Sequence, residues 1–561
     1  MENNKIKKIE NVILDYSFYP GEDYYSDGDI ESFLLETCRS ENEEKVLKNS
    51  DKWEVLYHLS DIRENIIDWI KFDKNSDVLE IGSGCGAITG SLSKKCGSVT
   101  CVELSEKRSL INAYRNKSLN NIIIKLGNFQ EIEPSLGLFE YITLIGVLEY
   151  ANLYVQAENP YIELLKIAKK HLKKNGKLII AIENKIGLKY INGAPEDHVG
   201  QPYVGINDYI SDDKVRTFSQ PELDNLLKVS GYVRRKFYYP VPDYKLPLSI
   251  YSSELMPVPG EIRTYKTNFS NARMYSFYED VMNDQLAYDK MFGYMANSFI
   301  VVSGNEPEEE IIFAKYNRER KSKFRIATYI KKMGDNYVVE KHALNSEAVR
   351  HIDNLKKNED SWSILNKNLK KITGKLEHGV YITDYIKGRT LNEIMYDYRH
   401  SISAFIGMIT KLLRKYYYIS DELYEQFYKT PEFVNIFGDV EVGKVKCCRI
   451  TNIDLIFSNI IIDHNNEAYA LDYEWIFDFP IPYRYVLWRA VTDIFLKYLV
   501  YFKEKITLNE YYKQLQFSDD EVSLYKTMEC NFTQYVFGEK NCEIYTTNYI
   551  KPSITSHFEM R

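Results

Sequence analysis

Short apolar runs bounded by polar or glycine-rich turns organise the first half of the chain. DVLEI (77–81), SVTCVEL (98–104), FEYITLIG (139–146), LKKNGKLIIAIEN (172–184) and NSFIVVSG (297–304) each read as a strand. WEVLYHLSDIRENIIDWI (53–70) is a helical pattern ahead of the first of them, and a helix follows the glycine turn at 82–86, so a βαβ unit begins near residue 77. Further on, YVVEKHALNSEAVRHI (337–352) reads as a strand then a helix, and VYITDYIKGRTLNEI (380–394) as a strand, a polar turn and a helix. VLWRAVTDIFLKYLVYF, from Val486, is apolar but carries Arg489, Asp493 and Lys497, which makes it an amphipathic core helix and not a membrane span.

Four segments follow from this pattern. Residues 1–50 are a mixed, acidic, loop-rich lead-in containing YPGEDYYSDGDIE, and residues 51–304 hold the strand series. NEPEEE, Asn305–Glu310, contains Pro307 and reads as a linker opening a second unit, 305–515, and residues 516–561 form a tail without heptads. Hydrophobic residues make up 44% and charged residues 27% of 561, enough for real cores in a soluble globular chain. The net charge of -8 disfavours nucleic acid as a general partner. MENNKIKKIEN lacks the apolar stretch of a signal peptide, and no transmembrane segment is expected. The eight cysteines lack metal spacing, and adjacent Cys447 and Cys448 read as buried thiols of a cytosolic protein. The 47 tyrosines fit a carbohydrate binder or a compositional bias equally.

The glycine turn carries the most chemistry. Gly82, Gly84 and Gly86 let the backbone turn sharply and approach a ligand closely. The helix that follows offers its N-terminus to a polar group. Glu103 ends the second strand, where a carboxylate reaches the ribose hydroxyls of a bound nucleoside. The run can also be laid on the dinucleotide pattern with Ala87 at its last position. However, Glu80 and the tight G-x-G-x-G run resemble motif I of class I S-adenosylmethionine (SAM) methyltransferases. LGNF (126–129), the Phe139 strand and its loop, the Leu172 strand and the Asn297 strand follow in that family's order. The resemblance implies an α/β fold, a Rossmann-like doubly wound sheet whose last strand is antiparallel. It also implies SAM contacts at Glu80, Gly82, Ser83, Gly84, Gly86, Glu103, Leu104, Asn128 and Phe129.

The methyl group of a sulfonium is attacked in line, so the enzyme positions the acceptor and excludes water. A hydroxyl acceptor must also lose a proton. The loop after the Leu172 strand, ENKIGLKYINGAPEDHVG, leaves the C-terminal edge of the sheet and groups Glu196, Asp197 and His198. His198 is the candidate general base, with Glu149 and Tyr150 as alternatives, and His58 is a packing or capping histidine.

The second unit resembles the protein-kinase-like small-molecule phosphotransferases, such as aminoglycoside and choline kinases, through Lys341, TNIDLIFSNIIID and AYALDYEW. The resemblance implies an α+β domain with an N-lobe sheet and a helical C-lobe, using ATP and Mg2+. Lys341 would steady phosphates and pair with Glu347, Asp454 would orient the acceptor, and Asn459 and Asp472 would hold the metal. Two departures stand out. Asn452 occupies the usual histidine position, and the expected first hairpin, FAKYNRERKSKFRIATYI (313–330), lacks glycine. A non-catalytic pseudokinase module is therefore the competing expectation.

A narrower resemblance rests on YSDGDIE, WEVLYHLSDIRENI, ITLIGVLEYA, IENKIGLKYINGAPEDH, RTFSQPEL and YYPVPDYKLP. These strings are similar to a bacterial methyltransferase family of surface-polysaccharide assembly, often fused to glycosyltransferases. The two-domain layout is similar to bifunctional enzymes that cap O-antigen chains, whose C-terminal coiled coil is not visible here. The resemblance implies a glycan or sugar-phosphate acceptor, glycosyltransferases as partners, and a cytoplasmic location, including the inner face of the membrane.

Overall fold

The computed structural model describes residues 5–23, 28–210, 214–263, 268–269, 273–304, 309–364, 366–420, 424–538, 548–551 and 553–555. The chain divides into two compact units. The first comprises Met1–Pro257, Arg263–Tyr316 and Tyr545–Arg561, and the second Val258–Ile262 and Asn317–Ile544.

The first unit contains strands β1 (Ile6–Ile9), β2 (Val12–Asp15), β3 (Asp77–Ile81), β4 (Ser98–Glu103), β5 (Ile122–Leu126), β6 (Phe139–Ile145) and β7 (Leu172–Glu183). They are followed by β8 (Arg235–Val241), β9 (Ser249–Ser252), β10 (Arg273–Tyr275), β11 (Ser298–Ser303) and β12 (Glu309–Tyr316). All but β10 join one sheet in the order β1-β2-β5-β4-β3-β6-β7-β11-β8-β9-β12. From β2 through β7 neighbouring strands run parallel. Their near-continuous apolar sequences suit strands covered on both faces, and Val78, Leu79, Ile142, Leu144, Leu178 and Ile179 are buried. β11 lies antiparallel between β7 and β8, as expected of NSFIVVSG. From β3 the chain steps outward to β4 and β5, then returns to the other side for β6 and β7. The order reverses between β3 and β6, and that crevice is where open α/β sheets bind ligands.

The lead-in is more ordered than its composition suggests. β1 and β2 form a hairpin, β2 extends the sheet alongside β5, and helices Asp29–Arg39 and Glu43–Asn49 follow. Residues 24–27 of its YPGEDYYSDGDIE string lie outside the described residues. So do residues 305–308 of the expected linker, while Glu309 and Glu310 already belong to β12, which pairs with β9. The expected tail is divided. Helix Asp519–Phe537, N-capped by a Ser518–Glu521 capping box, buries Tyr525, Met528 and Phe532 in the second unit's core, whereas Tyr549 donates to the Leu47 carbonyl of the first unit.

The second unit pairs four antiparallel strands in the order Ile326–Met333, Asn336–Ala343, Val380–Asp384, Gly374–Glu377, beside helix Val349–Ser361. Strands Ile326–Met333 and Asn336–Ala343 are joined at Gly334, and within the glycine-free stretch 313–330 Phe313–Tyr316 belong to β12 and Ile326–Ile330 to the strand Ile326–Met333. The remainder is mainly helical. Helix Tyr483–Lys497 buries Trp488, Val491 and Phe495, while Arg489 pairs with Glu529, and no described helix is long and apolar enough to cross a membrane. Many tyrosines are core residues: Tyr417, Tyr498 and Tyr511 are fully buried, each donating to a backbone carbonyl. Cys447 and Cys448 are buried free thiols, pushed up to about 12 by burial.

Candidate functional site

The three glycines of the first turn all have positive φ, +71°, +53° and +74° for Gly82, Gly84 and Gly86, which side chains disfavour. Their surroundings differ. A Cβ on Gly82 would approach Val147 Cγ2 to 2.5 Å, and one on Gly86 would approach Asn112 Cα to 2.9 Å. A Cβ on Gly84 would meet nothing within 4 Å. Two glycines thus permit close packing, and Gly84 faces open space. Its N–H donates to Glu103 Oε2 at 2.8 Å, and Ser105 N–H to Glu103 Oε1 at 3.1 Å.

Beside this turn a solvent-open cavity of about 510 Å³ occupies the crevice between the ends of β3 and β6. Gly82, Glu103, Leu104, Asn128 and Phe129, all expected cofactor contacts, line it. Asn128 is held by its contacts on both sides: its Oδ1 caps Gln130 N–H at 2.8 Å and its Nδ2 donates to the Tyr154 carbonyl at 3.0 Å. Glu80, Ser83, Gly84 and Gly86 lie outside the lining. Glu80 is buried, accepts from Thr89 Oγ1 at 2.6 Å, and is pushed up to about 7 by burial, so it holds the loop from behind. Tyr150 and Tyr154 also line the cavity. The only sign of them in sequence is their place in the loop after β6.

That loop and the one after β7 converge on His198. Glu149 stands in the turn Leu148–Tyr150 after β6, and Glu183 ends β7. His198 Nδ1 lies 2.8 Å from the Tyr150 hydroxyl, and its Nε2 lies 3.4 Å from Glu183 Oε2 and 3.8 Å from Glu149 Oε1. The three expected proton acceptors, His198, Glu149 and Tyr150, are thus one cluster. Burial alone would strip the proton from His198, but Glu183, followed by Glu149 and Glu196, holds it to about 9. Burial, then the charge of Glu183, pushes Glu149 up to about 8. Burial opposes ionisation of Glu183 too, yet Lys245 and His198 keep its carboxyl well below the usual range.

Beyond the cluster lies a second, polar cavity of about 690 Å³, lined by Trp53, Lys189, Asp197, Lys245, Phe269 and Arg273 among others. Lys245 Nζ pairs with both Glu183 and, at 2.9 Å, Asp197. Asp197 also accepts from Lys189 at 2.8 Å and from the Tyr190 hydroxyl at 2.5 Å. His198 therefore connects through Tyr150 to the first cavity and through Glu183 and Lys245 to the second. His58 is buried at the end of helix Trp53–Leu59, away from both linings.

In the second unit, Lys341, Asp454, Asn459 and Asp472 come together. Lys341 Nζ donates to Asp472 Oδ1 at 2.6 Å, and Asn459 Nδ2 donates to the Asp454 carbonyl at 2.9 Å and its Oδ2 at 3.3 Å. Burial pushes Asp454 up to about 6, with Arg489 opposing and Asp472 adding. Asn452 braces this loop, donating to the Asp472 carbonyl at 2.8 Å and accepting from Asp454 N–H at 2.9 Å. Glu347 does not fill its expected role. It is exposed in the 3-10 turn Ser346–Ala348, before helix Val349–Ser361 begins, and the carboxylate paired with Lys341 is Asp472. Glu474, which sequence reading noted beside Asp472 without giving it a role, is a buried acceptor for Arg320 and, at 2.9 Å, His351.

Residues 53–233 match a family described as a methyltransferase domain. A 64-residue stretch is 39% identical to the rRNA adenine N-6-methyltransferase of Lysinibacillus sphaericus, covering 11% of this chain and 24% of that protein. The chain thus spans about a quarter of the length of the curated relative it matches. Among solved structures, a SAM-dependent methyltransferase from Archaeoglobus fulgidus is 15% identical at a TM-score of 0.27, over 49% of this chain and 99% of that one. The N-methyltransferase NodS from Bradyrhizobium japonicum, in complex with S-adenosylhomocysteine, is 20% identical at a TM-score of 0.21, over 26% and 74%. Residues 53–233, matched to a methyltransferase domain, have a mixed α/β fold and include the positive-φ glycine turn.

Proposed function

We propose that the first unit transfers the methyl group of SAM to a hydroxyl or phosphate of a bacterial surface glycan or its precursor. The observation that carries this reading is the position of the His198 cluster between two cavities. One is lined by Glu103 and Asn128, which suit a nucleoside, and the other by paired charges with Trp53 and Phe269, which suit a hydroxyl-rich acceptor. A donor methyl in the first and an acceptor oxygen in the second would meet at the cluster, where a proton can be taken up. In this reading the chain works in the cytoplasm beside the glycosyltransferases of polysaccharide assembly. Calorimetry tests the donor half: the chain is expected to bind S-adenosylhomocysteine and to prefer it to NAD. Binding of NAD with no binding of S-adenosylhomocysteine would overturn it. Mass spectrometry of co-purifying small molecules tests the acceptor half.

The second unit supports a further, separate activity: magnesium-dependent phosphoryl transfer from ATP, most simply to the same glycan. Lys341, Asp454, Asn459 and Asp472 converge although up to 131 residues separate them, and that convergence favours a phosphate and metal site over a purely structural role. ATP with Mg2+ is expected to raise the melting temperature, and Asp472→Asn to remove that shift. Asp454→Asn should keep the shift and stop transfer. No shift at millimolar ATP would leave the unit a non-catalytic pseudokinase module.

A further inference from the structure

We propose that Glu149, Glu183 and His198 form a site for one divalent cation in the first unit. One ligand atom from each, the imidazole Nε2 and a carboxylate oxygen from either glutamate, lie within 4.8 Å of one another. Ligands of a bound cation stand about 3 to 3.5 Å apart when metal–ligand bonds are about 2.1 Å, so a side-chain shift of about an ångström closes the set.

Three observations point to a cation site rather than a finished ion-pair network. First, Glu149 is fully buried and neither of its carboxylate oxygens has a hydrogen-bond partner among the described residues. A buried carboxylate left this way is costly unless something positive reaches it. Second, the other donors are already held from behind. Glu183 Oε1 accepts from Lys245 and, at 3.3 Å, from the Tyr244 hydroxyl, which leaves Oε2 turned to His198. His198 Nδ1 is engaged by the Tyr150 hydroxyl, which orients the ring with Nε2 toward the two glutamates. Third, the acidic groups outnumber the cations: Glu183, Glu196, Asp197 and Asp243, with the Glu149 carboxyl beside them, gather around the ammonium groups of Lys189 and Lys245 and the His198 imidazole.

One imidazole with two carboxylates suits a first-row dication such as Mn2+ or Zn2+ better than Ca2+, which takes oxygen ligands only. An acceptor hydroxyl bound to that cation would lose its proton more readily, so the site would deepen the proposed reaction. Cation binding itself needs neither donor nor acceptor. A chain that binds Mn2+ but not S-adenosylhomocysteine would leave this site standing and overturn the methyl-transfer reading.

The test is Mn2+ titration of the chelator-treated full-length chain, followed by electron paramagnetic resonance. Binding is expected to be weakened more than about 100-fold by Glu149→Gln, beyond the 10–100-fold typical of outer-shell changes. All titrations use the full-length chain in an Asp472→Asn background, so that the metal site proposed for the second unit does not contribute. Spin-echo spectra in that background should show nitrogen coupling from one imidazole, a readout that does not depend on Glu149→Gln folding. No Mn2+ binding in that background, affinity there unchanged by Glu149→Gln, or bound Mn2+ without nitrogen coupling would each overturn the proposal.

Discussion

Gly84→Val is expected to abolish S-adenosylhomocysteine binding in a chain that still folds. Nothing stands within 4 Å of where its Cβ would be, so the added methyls clear the protein core, while the strained turn disturbs the Gly84 N–H that holds Glu103, a carboxylate lining the first cavity. The Gly84 φ of +53° adds a backbone cost of about 1–2 kcal/mol, small enough for a large domain to tolerate. Gly86→Val makes the informative contrast. Its Cβ would lie 2.9 Å from Asn112 Cα, so that variant should lower the melting temperature markedly. Calorimetry and thermal melts on both variants separate ligand space from packing space. Normal ligand affinity in Gly84→Val would move the donor site elsewhere.

His198→Ala is expected to lower methyl transfer to an oxygen acceptor by about 100-fold or more while S-adenosylhomocysteine affinity barely changes. His198 is absent from the first cavity's lining, which explains the spared affinity. Its protonation also sets a pH profile. Burial opposes its charge, but Glu183, then Glu149 and Glu196, face it with their carboxyl groups, with Lys245 behind Glu183, and hold the imidazolium to about 9. A base must be unprotonated, and a raised pKa means the proton is still on at pH 7. With chelator present, turnover should therefore rise about tenfold per pH unit from neutrality and level off near 9, not near the ordinary histidine value. A plateau already reached at pH 7 would remove His198 from the proton path.

The sequence by itself determined the strand series, the glycine turn and the carboxylate at the end of β4. Those features are local: an apolar pentapeptide is a buried strand wherever it lies, and a positive-φ turn needs glycine whatever surrounds it. The position of Glu103 followed from βαβ geometry, and it lines the cavity. The division of the expected cofactor residues was not legible, because Glu80 and Gly86 are needed for packing and their spacing is the same as that of a contact. Only the tertiary structure decided the chemistry of the acceptor side. Glu149 follows β6, Glu183 ends β7 and His198 lies in the loop after β7, and the sheet order, not chain proximity, brings the ends of β6 and β7 together. The charge state of His198 then depends on burial and on carboxylates supplied by those loops, which no local pattern records. The same reason explains Glu347 and Asp472. Both are carboxylates at plausible spacing from Lys341, but the helix begins after Glu347, and the fold brings Asp472, 131 residues away, to the lysine. The division of residues 516–561 between the two units was equally a tertiary matter, since Tyr525 and Tyr549 are buried by partners far away in the chain.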